Sequence, residues 1–287
     1  MPVLFVLLWS TGFIGAKYGL PYAEPFTFLT IRFVFTLAVL MVIVRAMGAR
    51  WPRSPRLWGH VAVSGLLVHA AYLGGVFYGI YLGMPAGLTA LLVGLQPLLT
   101  AVIARSWLGE SITATQWGGI LLGLVGITLV LGDKLDPDPA TLFAGFGATA
   151  VIPVLIALSG IAVGTLYQKR FCTGMDLLTG TSIQYMAATT VLGIGALLFE
   201  TREVDWTPTF VLALGWLVFG LSLAAILLLM ALIRRGAASR VASLFYLVPP
   251  VTALEAWVLF GERLGPVAIV GIGVTVLGVA LAVRNRS

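Results

Sequence analysis

The chain has 287 residues, of which 60% are hydrophobic and 10% are charged, and its mean hydropathy is +1.05. A soluble domain carries about 25% charged residues and needs a polar shell around its core. This composition therefore excludes a soluble globular protein and predicts a membrane protein. The single cysteine, Cys172, excludes an intramolecular disulfide and a cysteine metal cluster.

A helix that crosses a bilayer needs about 20 apolar residues. The first apolar run lacks the basic start and small-residue cleavage site of a signal peptide, so we interpret it as the first span. Pro, Gly and charged residues divide the chain into ten such segments joined by short loops, which leave no room for a soluble domain. The predicted spans 1 to 10 cover residues 3–20, 26–46, 57–82, 84–105, 112–131, 142–168, 176–199, 207–233, 238–260 and 264–283.

The positive charges of the loops predict the orientation in the membrane. With the N-terminus in the cytoplasm, twelve Lys or Arg residues fall in cytoplasmic loops and only three, Lys134, Arg202 and Arg263, fall outside. Cytoplasmic loops are enriched in Lys and Arg, so both termini are predicted to be cytoplasmic. The net charge of +6 is then an orientation signal, and no nucleic-acid partner is expected.

The sequence repeats itself with an offset of 152 residues. Residues 86–132 align without a gap on residues 238–284, and 14 of the 47 pairs are identical, including Pro97 with Pro249 and Gly109-Glu110 with Gly261-Glu262. An odd number of spans per copy inverts the second copy in the membrane. We therefore predict two five-helix repeats, residues 1–135 and 136–287, related by a pseudo-two-fold axis in the membrane plane around a central cavity.

Motifs in both halves resemble a known transporter family. The segments Leu8-Trp9-Ser10-Thr11-Gly12-Phe13, Lys17-Tyr18-Gly19-Leu20, Pro25 and Arg32-Phe33 resemble the first two helices of EamA-type transporters, which belong to the drug/metabolite transporter superfamily. Gln96-Pro97 with Gly109-Glu110, and Pro249-Pro250 with Gly261-Glu262, are similar to that family's duplicated module. The resemblance covers essentially the whole chain. It implies a multi-pass bacterial inner-membrane transporter, with exporters of aromatic and other neutral amino acids among its relatives.

Motifs of covalent chemistry are missing from the sequence. There is no Gly-x-x-x-x-Gly-Lys-Ser/Thr phosphate loop and no His-Glu-x-x-His zinc motif, and the two histidines, His60 and His69, share span 3. Thr179-Gly180-Thr181-Ser182 is not a nucleophile elbow. An intramembrane protease or acyltransferase is therefore disfavoured, no cofactor or metal is expected, and secondary transport, not enzymatic activity, is predicted.

Three ionisable residues lie inside predicted spans, where a charge costs about 2.5–3.5 kcal/mol at the bilayer centre. Lys17, Arg32 and Glu255 all fall in the outer third of the membrane. They are candidates for gating or coupling, or for a clamp on a carboxylate or amino group. The alternatives are a structural ion pair of Glu255 with Lys17 or Arg32, or snorkelling of the two cations to the interface.

Other polar and aromatic side chains at membrane depth are candidates for contacting substrate. His69 is a titratable imidazole near the middle of span 3, although a neutral histidine bonded to a neighbouring helix fits equally. A buried phenol needs a hydrogen-bond partner, which makes deep tyrosines candidates for a cavity wall. The predicted substrate-binding residues are Trp9, Ser10, His69, Tyr72, Tyr78, Gln96, Ser159, Gln184, Tyr185, Ser243 and Tyr246, with Ser222 a further polar candidate.

Prolines and glycines predict where the helices bend and pack. Pro97 and Pro249 fall mid-span at equivalent positions and are assigned to gating because each loosens its helix, and Pro153 is expected to interrupt span 6. Small-residue faces on spans 5 and 10 are interpreted as helix packing. These faces contain Gly118, Gly119, Gly123 and Gly126, and Gly271, Gly273 and Gly278.

Together these observations predict an all-α exporter of small amphipathic metabolites, above all neutral and aromatic amino acids, that works by alternating access. A proton-coupled drug or amine exporter using Glu255 or His69 stays open, as does an uncoupled facilitator. A membrane receptor or scaffold is less favoured, because ten spans without a soluble domain leave little surface for signalling. The expected partners are a small-molecule substrate and the lipid bilayer, and the protein is expected to be a monomer or homodimer.

Overall fold

A computed structural model describes residues 2–108, 113–132, 147–225, 228, 247–262 and 265–283. These residues form helices and no strand, apart from one isolated antiparallel bridge between Ala23 and Val204. In the first half the helices are α1 (Pro2–Gly19), α2 (Pro25–Met47), α3 (Pro55–Gly65), α4 (Tyr72–Tyr81), α5 (Ala86–Val93), α6 (Gln96–Leu108) and α7 (Ala114–Gly132). In the second half they are α8 (Val151–Phe171), α9 (Leu177–Phe199), α10 (Pro208–Gly215), α11 (Val248–Phe260) and α12 (Pro266–Val283).

Two segments are π-helical, which the sequence analysis did not predict. The first π segment, Leu66–Ala71, joins α3 to α4, and the second, Trp216–Ala225, continues α10. Shifted by the repeat offset of 152, the first segment falls on residues 218–223, inside the second. Helices of this kind are rare and often mark functional sites. The predicted spans 3 and 8 are therefore distorted at equivalent positions.

Five helices among the described residues are long and apolar enough to cross a membrane: Pro25–Met47, Pro55–Tyr81, Ala86–Trp107, Val151–Phe171 and Leu177–Phe199. Three shorter apolar helices cover Pro208–Ala224, Val248–Phe260 and Pro266–Leu281. Large apolar side chains cover the outer surface, such as Phe199 and Leu212, which are 77% and 74% exposed. Soluble monomers rarely expose extended apolar surface, so this all-α protein is built for a lipid surrounding.

Helix ends coincide with the residues used to predict them. α2 begins at Pro25 in its first turn and ends at Gly48, whose φ of 59° is the left-handed conformation of a C-terminal glycine. α9 begins after Asp176, whose carboxylate accepts hydrogen bonds from the backbone N–H groups of Leu178 and Thr179 at 3.0 and 3.1 Å. Local sequence therefore fixes the ends of these two helices.

Pro97 lies mid-span as predicted, next to an interruption of the helix, whereas Pro249 and Pro153 lie in the first turns of their helices. Span 4 is divided into α5 and α6 around Gly94, and Pro97 is the second residue of α6. Pro249 is likewise the second residue of α11, and Pro153 is the third residue of α8. A proline is tolerated in the first turn because its missing N–H has no intrahelical partner there. These residues start helices and do not kink them.

Helix packing relates the first half to the second. α2 packs along α9, and α7 packs along α12. α1 packs against α10 and the second π segment, while α8 packs against α4 and the first π segment. Neither half therefore forms a separate bundle, and the described helices of each half complete the packing of the other.

The small-residue faces of α7 and α12 pack against each other, as predicted, for five of the seven glycines. A Cβ atom added to Gly126 would lie 2.5 Å from the backbone nitrogen of Thr275 and 2.6 Å from the carbonyl oxygen of Gly271. Backbone contact of this kind requires glycine. Gly119 and Gly123 face Gly278 across the same crossing. Gly118 and Gly273, in contrast, have open space at their Cα atoms and are not part of the contact.

We expect Gly126→Ala to lower the stability of the protein by about 1–3 kcal/mol, because the added methyl group overpacks a backbone crossing. Gly118→Ala is the matched control on the same helix, and it should be neutral or slightly stabilising since alanine favours helix. Thermal unfolding of both variants in detergent measures the difference. Equal melting temperatures for the two variants would contradict the close crossing.

Candidate functional site

Arg32 is buried and has no counter-charge among the described residues. It is the eighth residue of α2, about 10 Å along the helix from its start, and is 2% exposed. Its Nη2 atom donates a hydrogen bond to Ser222 Oγ of the second π segment at 3.1 Å. Its Nε and Nη1 atoms are buried and have no hydrogen-bond partner among the described residues. Such a group is costly unless something pairs with it.

Aromatic rings from four helical elements lie near this guanidinium group. The imidazole of His69, in the first π segment, stacks on the ring of Tyr185 of α9, with ring centroids 4.5 Å apart and planes 19° apart. Phe33 of α2 meets Tyr185 edge-on at 4.9 Å. Tyr72, the first residue of α4, lies close enough to Arg32 for electrostatic interaction. We call this group the Arg32 cluster: Arg32, Phe33, His69, Tyr72, Tyr185 and Ser222.

The repeat-equivalent position of Arg32 carries an uncharged, hydrogen-bonded side chain. Gln184 of α9 is 5% exposed, and its Nε2 atom donates to Ser64 Oγ of α3 at 3.1 Å and to Gln168 Oε1 of α8 at 3.2 Å. Sequence analysis identified Gln184 but missed its partners, which only helix packing brings to it. Gln184 thus reaches the helix before the first π segment, as Arg32 reaches the second.

Glu255 pairs with neither cation considered for it. Its Oε1 atom accepts a hydrogen bond from Ser10 Oγ of α1 at 2.8 Å, and its Oε2 atom is buried without a partner among the described residues. The hydroxyl group of Thr252 bonds the backbone oxygen of Ser10 at 3.4 Å, which ties α11 to α1. The alternative of a structural ion pair of Glu255 with Lys17 or Arg32 is therefore not what the structure shows. Ser10 and Glu255 form a second polar pair at the contact of α1 with α11.

Lys17 is paired with Glu262. Its ammonium group forms an ion pair with the Glu262 carboxylate and lies 4.5 Å from the ring centroid of Phe260. The same carboxylate accepts hydrogen bonds from the N–H groups of Ala86 and Gly87 at 3.2 and 3.4 Å, so it caps the start of α5. Lys17 thus holds a carboxylate of the second repeat at the start of a helix of the first repeat, and does not simply snorkel to the interface.

The other predicted site residues lie apart from the Arg32 cluster. Gln96 donates to Thr165 Oγ at 3.2 Å and joins α6 to α8. Tyr78 stacks on Phe26 with centroids 5.6 Å apart and is 36% exposed. Trp9 packs on Phe5 of its own helix, and Ser159 is exposed on α8. Pro249 packs on Gly94, and Pro97 starts α6. Ser243 and Tyr246 lie outside the described residues.

Two carboxylates connect the loop before α2 to the loop after α9, an arrangement that the sequence did not reveal. Glu200 accepts hydrogen bonds from the N–H groups of Phe26 and Thr27, both at 2.7 Å. Glu24 in turn accepts from the N–H and hydroxyl groups of Thr201, both at 2.6 Å. We call these reciprocal contacts the crossed carboxylates. They hold the predicted outer ends of α2 and α9 together.

The described residues contain no group of three or more His, Cys, Asp or Glu side chains that could hold a metal ion.

The model of the EamA-like transporter family matches residues 1–132 and again residues 148–284, which is most of the chain. The chain belongs to the EamA-like transporter family.

Individual relatives of this EamA-like transporter agree with that assignment. A protein of Escherichia coli strain K12 named "Uncharacterized inner membrane transporter YedA" is 28% identical over 98% of this chain and 88% of its own length. Another from the same strain, named "Probable amino-acid metabolite efflux pump", is 26% identical over 99% of this chain and 93% of its own length. A solved crystal structure shares the fold with a TM-score of 0.65 and 21% identity, covering 98% of this chain and 94% of that one.

Acidification should weaken the crossed carboxylates of this EamA-like transporter. The hydrogen bond from the Thr201 side chain lowers the pKa of Glu24 below its ordinary value of 4.5. A lowered folded-state pKa stabilises the fold fully above the unfolded-state value, and this stabilisation is lost as the pH falls through the folded-state pKa. We therefore expect the melting temperature in detergent to fall on acidification below about pH 4.5.

Glu24→Gln should reduce that pH dependence and lower the melting temperature at neutral pH, because an amide accepts weaker hydrogen bonds than a carboxylate. Glu203→Gln, at an exposed carboxylate in the loop after α9 to which Glu24 bonds, is the matched control and should follow the wild-type profile. A Glu24→Gln protein with the full wild-type pH profile would show that Glu24 contributes nothing to the stability of this loop.

Proposed function

We propose that this protein is a secondary transporter that moves neutral and aromatic amino acids out of the cell across the bacterial inner membrane by alternating access. The observation that carries the proposal is the Arg32 cluster, in which a buried cation stands among aromatic rings between the two halves of the chain. Family membership supplies the transport class. A relative named as an amino-acid metabolite efflux pump supports the substrate class and the direction.

For the architecture, we propose ten transmembrane helices in two inverted repeats, residues 1–135 and 136–287, with cytoplasmic termini. Each predicted span contains described helix, and the family model matches the chain twice. In the two repeats α1 corresponds to α8 and α6 to α11, and the contact of α1 with α11 has its counterpart in the contact of α8 with α6. The pairs α2–α9 and α7–α12 each join two equivalent helices. Two-fold exchange of this kind is characteristic of inverted-repeat transporters.

Alternating access in this scaffold would consist of motion of one half against the other. The π segments lie at equivalent places in spans 3 and 8, and α-helical bonding is interrupted there. The Arg32 cluster takes residues from both segments, His69 from the first and Ser222 from the second. Bending at either segment would therefore change the cluster itself. The crossed carboxylates and the Lys17–Glu262 pair join the two halves on the predicted outer side.

A proton-coupled exporter of drugs or amines is the second candidate. It is favoured by Glu255, a partly buried carboxyl group whose Oε2 atom has no hydrogen-bond partner among the described residues. A carboxyl group at membrane depth can exchange a proton or bind a substrate amine. The uncoupled facilitator would bind its substrate at the same cluster, and the titration of Glu255 would have no role in transport.

Counterflow into proteoliposomes tests the substrate class. Liposomes containing the purified protein and loaded with unlabelled L-phenylalanine, L-tyrosine or L-leucine should accumulate the labelled amino acid above the level of protein-free liposomes. Phenethylamine in the same assay represents the amine class. Accumulation of phenethylamine but of no amino acid would show that amines are the substrates. Accumulation of none of these compounds would contradict both substrate classes.

Glu255→Gln separates coupled from uncoupled transport. If Glu255 carries a proton, the variant should lose accumulation driven by a pH gradient but keep exchange at equal pH on both sides, because only the titrating group is removed. Ser10→Ala is the matched control, since it removes the hydrogen bond of Glu255 and keeps the carboxylate. Wild-type flux that is unchanged when the pH gradient is dissipated would contradict coupling altogether.

A further inference from the structure

Among the described residues the positive charge of Arg32 has no acidic partner, and the carboxylates near the described helix ends bond other groups. Glu262 pairs with Lys17, Glu255 bonds Ser10, and Asp176 caps α9. Glu24 and Glu200 form the crossed carboxylates. The long undescribed segment in the second half, residues 229–246, contains no Asp or Glu in its sequence. Arg32 has no acidic partner in the described part of the chain, and a bound anion would supply one.

Unused hydrogen-bonding groups lie on one face of α2. Arg32 retains the N–H groups of Nε and Nη1, which are buried. Thr36 follows one helical turn later on the same face, is 0% exposed, and its Oγ1 atom also has no partner among the described residues. Buried polar groups in proteins are almost always bonded. Their concentration around one guanidinium group indicates that a ligand completes them.

The chemistry of the surroundings selects a monoanion with an apolar body. One guanidinium group neutralises one negative charge, whereas a phosphate monoester carries about −1.5 to −2 at neutral pH and would keep an unpaired charge. The guanidinium group is suited to a carboxylate because its planar donors match the carboxylate oxygens. The rings of His69, Tyr72 and Tyr185 offer apolar surface beside it.

We propose that Arg32 is the anchor for the α-carboxylate of the transported amino acid, with Ser222 and Thr36 as hydroxyl partners. The side chain of the amino acid lies against the His69–Tyr185 stack and Tyr72. This inference rests on the proposed function and adds to it the residue that recognises the ligand. Removing the carboxylate from the ligand and removing the guanidinium group from the protein should therefore have the same effect.

Binding to the purified protein tests the anchor independently of transport. L-Phenylalanine and L-leucine should raise the melting temperature of the wild-type protein in detergent, whereas L-phenylalaninamide and L-leucinamide, which lack the carboxylate, should bind about 10- to 100-fold more weakly. This comparison needs no variant, so a folding defect cannot hide the answer. Equal binding of the acids and the amides would overturn the proposal. So would a rise of the melting temperature by chloride that added amino acids do not reduce.

Variants of Arg32 supply the complementary measurement. Arg32→Gln should weaken L-phenylalanine binding by the same factor of about 10–100 while leaving L-phenylalaninamide binding unchanged, and Arg32→Lys should recover part of the difference because it keeps the charge. Arg53→Gln, at an exposed arginine, is the matched control and should bind as the wild type does. Arg32→Gln with undiminished discrimination between acid and amide would overturn the assignment.

The two proposals fail differently in these experiments. If amino acids bind through their carboxylate but give no counterflow, the transport proposal is contradicted and the assignment of Arg32 as the anchor is supported. Counterflow of amino acids that continues at the wild-type rate and affinity in Arg32→Gln would sink the anchor and leave the transport proposal standing.

Discussion

The cost of holding a charge at membrane depth is the constraint on which this structure depends. For Lys17 the ion pair with Glu262 offsets that cost, and the Glu262 carboxylate also accepts a hydrogen bond from the first amide group of α5. Glu255 meets the cost only in part, through Ser10. Arg32 has one hydroxyl partner and unused donors. Lys17 and Glu262 thus form a structural pair, whereas Glu255 and Arg32 keep polar atoms without a partner among the described residues. A ligand or a proton can stabilise such partly paired groups most.

Close helix crossings determine where those charges can be. Lipid provides little hydrophobic force between helices, so association depends on contacts that only small residues permit. α7 and α12 meet through the backbone at Gly126 and Gly278, away from the Arg32 cluster. Gly12 and Gly15 of α1 receive Leu221 and Leu217 of the second π segment, which brings Ser222 within reach of α2. Glycines on helix faces thus support the cluster although they carry no chemistry.

Sequence reasoning identified which residues would be unusual but not which would meet. Arg32, His69, Tyr72 and Tyr185 stand out because a polar group at membrane depth is costly, and the structure brings them together. The hydrogen bond of Glu255 with Ser10 was not predicted, because pairing depends on how α1 and α11 are rotated about their axes. Loop residues Glu24 and Glu200 were classified only by charge. Helix ends were predictable because proline and glycine act locally, while helix faces are set by the whole packing.

The π segments have a consequence for side-chain register. Each residue of an α-helix advances the chain by 1.5 Å and turns it by about 100°. A π-helical turn holds an extra residue, so side chains after it are rotated from the positions of an uninterrupted α-helix. If the first segment reverted to α-helix, α4 would rotate relative to α3, and Tyr72 would leave its place beside Arg32. The π-helical conformation of this segment thus determines which aromatic residues lie beside Arg32.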